Sequence, residues 1–301
     1  VFLVRSQQYF SFKLRSVAIY SESLHFIFSI YGLSLNIYRV AIDSVDEENL
    51  SENINAIVIL SPTASLAISL SLLVYMVRVG RLGRAVFGYA MVAYFIAIGG
   101  KIVLQSFTSH YTTPSPDFSN TLLGLYYGLQ TSFFEIGFAY LFAMIITRRG
   151  YNVRYAGGYG ISLSFAENGL LLGLFSLIQL VSIYMIIFLG IDPLSNMLSE
   201  ELRKRNPELF LSTTEILPLV GLSIVERISS ILAHYSWGVL VFLAAVMRRP
   251  RYFAIAFPMG FIDSLVPFSR IAGLYLVELI VFILALSFLL IAKTIYKSVG
   301  G

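Results

Sequence analysis

Glu135, Glu167, His234 and Asp263 stand in four different long apolar segments, each about 13 residues from the arginine cluster that closes one end of its segment. At a helical rise of about 1.5 Å per residue, that spacing sets all four side chains at one depth, about 20 Å from the basic end. An ionisable group at the centre of a bilayer costs about 3 kcal/mol by insertion scales, so a chain that keeps four at one level has a use for them. Carboxylates and an imidazole can hold a divalent cation, relay a proton or act as a general base. Each also has a plainer reading, as a protonated carboxyl bonded to a neighbouring helix, a core histidine or a loop cap. Asn168 adjoins Glu167, and Glu226-Arg227 precede His234 by about two helical turns on roughly the same face. These three are supporting residues.

The elements that must carry them are membrane helices. Of the 301 residues 57% are hydrophobic and 13% charged, with a mean hydropathy of +0.79, about half the charge of a soluble domain. We expect an all-α polytopic bundle with seven core spans at 54–77, 85–107, 121–147, 157–190, 213–247, 252–268 and 271–295. The basic groups fall at alternate connections: Arg78, Arg81 and Arg84; Arg148, Arg149 and Arg154; Arg248, Arg249 and Arg251; then Lys293 and Lys297. This is the positive-inside pattern of a cell-membrane protein with a cytoplasmic C-terminus. The net charge of +4 is accounted for by those clusters and gives no support for nucleic-acid binding. With no cysteine, disulfides, thiolate ligands and a cysteine nucleophile are excluded.

Residues 54–301 form the expected helical domain. Residues 1–53 differ, with a basic start, a weakly apolar stretch 16–37 and an acidic run, and fit either an eighth span or a leader. The balanced charges of 191–212 after Asp192-Pro193 suggest a short surface helix. Gly124 and Gly128, like Gly169 and Gly173, repeat the four-residue spacing of close membrane helix contacts. Ser162 and Ser164 with His234 superficially suggest a serine dyad, but hydroxyls in membrane helices more often bond their own backbone. Lys101 and Glu278 also fall within spans, and a structural pair between them is conceivable.

The order of these elements resembles the YhfC-type family of predicted intramembrane metalloproteases, related to PrsW-like and prenyl-protease-like enzymes. Glu135 ahead of an arginine-rich loop matches the family's first acidic motif, and Gly160–Glu167 its glycine-rich motif. Glu226-Arg227 with His234 and Val239-Leu-Val241 match the third, and Asp263 the last. The resemblance implies a metal, with zinc as first expectation, held by His234, Glu135 and Asp263, and Glu135 or Glu167 as catalytic carboxylate. Leu163 and Met259 stand where the family pattern has histidines. One nitrogen with several oxygens suits a harder ion than zinc, so less than one zinc per chain is expected.

Three functions follow. The first is a membrane protease acting on a membrane protein or peptide; the second, a catalytically inactive descendant that binds a membrane partner, lipid or peptide. The third is a proton- or ion-coupled carrier, which broken helices near Gly157–Gly160 and Pro258 would favour.

Overall fold

The computed structural model describes residues 54–108, 119–188, 203 and 207–299. The N-terminal extension, with the span or leader expected there, and most of the expected surface helix after Asp192 lie outside the described residues.

The chain is an all-α membrane bundle. After a short 3-10 turn, Ala56–Ile59, come α1 (Leu60–Arg78), α2 (Arg84–Thr108) and α3 (Ser119–Gln130). A π-helical stretch, Thr131–Ile136, joins α3 to α4 (Gly137–Thr147), and a longer one, Phe165–Phe175, joins α5 (Ala156–Ser164) to α6 (Ser176–Phe188). The long α7 (Thr213–Val246) starts at a Ser212/Glu215 capping box, whose reciprocal bonds satisfy the first-turn donors. Then come α8 (Pro250–Ala256), a 3-10 stretch (Phe257–Phe268), α9 (Ser269–Ala272) and α10 (Leu274–Ser298).

Among the described residues six helical runs are long and apolar enough to cross a membrane, one fewer than the seven core spans expected. The difference lies at 252–268. Pro258 and Pro267 remove backbone donors and Gly260 weakens the helix between them, so this segment is seven α-helical residues followed by twelve in 3-10 geometry. It still connects opposite ends of the bundle. The last turn of α10 meets the basic loop, where the Tyr296 hydroxyl donates to the Arg154 carbonyl at 3.5 Å, and α7 ends at the neighbouring basic cluster. At about 1.5 and 2.0 Å per residue the irregular segment rises about 35 Å, enough for a hydrocarbon core.

Three of the four glycines expected at helix contacts are found there. Gly124 and Gly128 of α3 lie against the backbone of Ser264 and Phe261 in the 3-10 stretch, and Gly173 against Leu66 of α1. Gly169 instead faces the ring of Phe165. Gly160 and Gly238 bring α5 and α7 together so closely that a methyl group at Gly160 would meet the Tyr235 backbone. Gly160→Ala is therefore expected to cost about 1–3 kcal/mol through overpacking, seen as a lower unfolding midpoint in detergent; an unchanged midpoint would show that the contact can relax. Around this seam Trp237, Tyr159 and Phe242 are fully buried, while Leu70, Val103, Leu122, Ile178 and Leu290 remain exposed at the periphery, as a lipid-facing surface requires.

Candidate active site

Three of the four expected residues sit where the helices depart from α geometry. Glu135 lies on the first π stretch, Glu167 on the second and Asp263 on the 3-10 stretch; His234 alone lies in a regular helix, α7. Such local windings recur at functional sites because they re-aim side chains relative to the flanking turns.

Glu135, Glu167 and His234 converge, with one potential ligand atom from each lying within 4.8 Å of the others. His234 Nδ1 is 2.9 Å from the Ser230 carbonyl. A carbonyl only accepts, so Nδ1 carries a proton and Nε2 is turned inward. There it lies 2.6 Å from Glu167 Oε2 and 3.0 Å from Glu135 Oε2.

The other oxygen of each carboxylate faces a cation. Lys101 Nζ is 2.5 Å from Glu135 Oε1 and 2.9 Å from the Thr131 hydroxyl. Arg227 is paired with Glu226 and lies 3.9 Å from Glu167 Oε1. Ser230 donates to Glu167 at 3.5 Å and accepts from the Asn168 amide at 2.9 Å. Asn168 thus supports the site without touching the imidazole. The Tyr94 ring meets His234 edge-on and Trp237 packs against it at 4.3 Å between centroids.

Asp263 joins from the side. It accepts from the Thr131 hydroxyl and lies 3.7 Å from Lys101 Nζ, outside the three-residue cluster that can hold a metal among the described residues. The 3-10 rise explains the offset, since it carries the segment outward about 0.5 Å further per residue than an α-helix would. Lys101 pairs with Glu135 and Asp263, not with Glu278 as the sequence allowed. Arg227 is buried at 6% exposure and pairs with the adjacent Glu226.

These groups line one chamber of about 510 Å³, whose apolar wall includes Ile98, Leu171, Ile262 and Val281. Openness to it is graded: the side chains of Glu135, Glu167 and Asp263 are 6%, 20% and 39% exposed. Leu163 and Met259 are buried in the hydrophobic core and do not line the chamber. Ser162 donates to the Gly158 carbonyl at 2.7 Å, and neither it nor Ser164 lines the chamber, which supports the packing reading of both.

A family model described as YhfC intramembrane metalloprotease matches residues 64–286. That range contains every residue of the cluster. Neither the curated proteins nor the solved structures give a match.

Proposed function

Because the chain belongs to the YhfC intramembrane metalloprotease family, we propose that it hydrolyses peptide bonds of membrane-embedded or membrane-apposed substrates in the chamber around His234. The observation that carries this reading is the convergence of His234 Nε2 with Glu135 and Glu167, each carboxylate facing a cation on its far side.

The family implies a metal, and the donor set fits one. His234 is oriented by its Nδ1–H bond, the arrangement that presents the opposite nitrogen to an ion. His234 and Glu135 would hold a divalent ion, with Glu167 beside it as the base, and manganese or iron would suit such a set of one nitrogen and carboxylate oxygen better than zinc. Such an ion would supply Lewis acidity, polarising a peptide carbonyl and making water acidic enough to react near neutral pH. Glu135, clamped by Lys101, stays a fixed anion. Glu167, the more open of the two, takes the proton of the attacking water while Arg227 and Ser230 steady its second oxygen. The apolar wall receives substrate side chains and excludes bulk water. By the positive-inside pattern, the basic loops and the C-terminus are cytoplasmic and the membrane is the cell membrane.

A second reading rests on the same geometry. A doubly protonated His234 would bridge both carboxylates through Nε2–H and satisfy them with no ion, giving an inactive descendant that binds a membrane peptide or lipid. The absence of histidine at Leu163 and Met259 favours it. The carrier reading keeps only one of its two expected breaks, since Gly157–Gly160 lies inside regular α5.

Reconstituted protein with a fluorogenic single-span peptide separates the two main readings. Cleavage is expected to stop with chelator, return with manganese or iron, and fall by about 10²-fold or more in Glu167→Gln. No cleavage with any divalent ion would favour the inactive descendant, and cleavage indifferent to chelator would overturn the metal assignment.

A further inference from the structure

We propose that the chamber has a second pole, built by Glu278 and Glu226, that takes a cationic group of the ligand, an ammonium or guanidinium. Five carboxylates line the chamber, Glu135, Glu167, Glu226, Asp263 and Glu278, against two permanent cations, Lys101 and Arg227. Lys101 faces Glu135 and Asp263; Arg227 faces Glu226 and Glu167. Glu278 makes no salt bridge among the described residues, and Arg227 acts on it only at longer range. Glu278 is 4% exposed, lines the chamber, and its Oε2 has no hydrogen-bond partner among the described residues. A buried carboxyl oxygen without a partner is costly, and an incoming N–H donor with a positive charge removes that cost with a charge-assisted bond.

The position is specific. Glu278 stands on α10 and Glu226-Arg227 on the adjacent α7, each about 20 residues from the basic end of its helix, or about 30 Å at the helical rise. His234 is about 20 Å from that end, so the second pole lies about 10 Å further outward. An extended chain covers that distance in about three residues. On the protease reading, on which this specificity step rests, the pole selects substrates with a lysine, arginine or free amino terminus about three residues to the outer side of the cleaved bond.

Binding can be read without turnover. Trp237 is the chain's one tryptophan and forms part of the chamber wall, so its emission reports occupancy. Full-length protein in neutral detergent is titrated with dodecylammonium, with dodecanol as the uncharged counterpart. We expect a saturable change with the ammonium, weakened about tenfold or more by Glu278→Gln. Glu278→Asp, which keeps the charge, should stay within about threefold of wild type, showing that the loss is not misfolding. Glu278→Gln binding as tightly as wild type would overturn the second pole, as would wild type failing to distinguish ammonium from alcohol. If the peptide is never cleaved yet ammonium binding depends on Glu278, the protease reading fails and the cation site stands.

Discussion

His234→Ala is expected to lower divalent-ion affinity by at least about a hundredfold and to bring peptide cleavage to background. The imidazole is the cluster's only nitrogen donor, and altering even a group that merely orients a ligand typically costs 10–100-fold. The fold should largely survive: Glu135 keeps Lys101 and Glu167 keeps Arg227 nearby, so neither carboxylate is left without a counter-charge. The result is read by elemental analysis of purified protein after exchange into chelator-free buffer containing the ion, alongside the unfolding midpoint. Wild-type protein carrying one tightly held zinc would contradict the preference for a harder ion. A variant with undiminished metal content would place the ion elsewhere and remove the basis of the metalloprotease reading.

Much of this site could be read before any coordinates. Equal distances from the basic clusters placed Glu135, Glu167 and His234 at one depth, because a helix converts residue count into height with little error. Asp263 shared the count but not the position, since its segment is wound as 3-10 over Phe257–Phe268 and rises faster. The same winding removed one regular helix from the expected seven. Pro258, Gly260 and Pro267 signalled a break, but not which winding would replace the helix. The π stretches at Glu135 and Glu167 left no comparable signal in residue type.

Lys101 was recognised as intramembrane, but its partner could not be read from the sequence. Counted from Arg84 it stands about 17 residues in, which puts its Cα about 25 Å from the basic end, too far outward to match Glu135. Helical side chains lean towards the N-terminus of their own helix, and α2 runs outward from its basic end. Its long side chain therefore drops back to the depth of Glu135. Glu278, by contrast, is set by α10 at an outer level beyond this reach. Direction of the side chain, not depth of the Cα, decided the pair.

Lys101→Met should then be the most destabilising substitution in the chamber. The ammonium faces Glu135 and Asp263 together, and methionine fills a similar volume without charge. Removing one partner of a buried ion pair costs about 3–5 kcal/mol, because the remaining charge stays buried and uncompensated. Asp263 is 39% exposed and can be screened by water, so the cost falls mainly on the buried Glu135 and belongs in the lower part of that range unless it takes up a proton. The double variant Lys101→Met with Glu135→Gln separates loss of charge balance from loss of packing. If the charge argument holds, it recovers most of the stability lost by Lys101→Met, as seen in thermal or denaturant unfolding in detergent, while cleavage remains absent because Glu135 no longer serves the ion. A single variant as stable as wild type would show that water or lipid headgroups compensate the carboxylates, and the chamber would then be wetter than its buried lysine and glutamate imply.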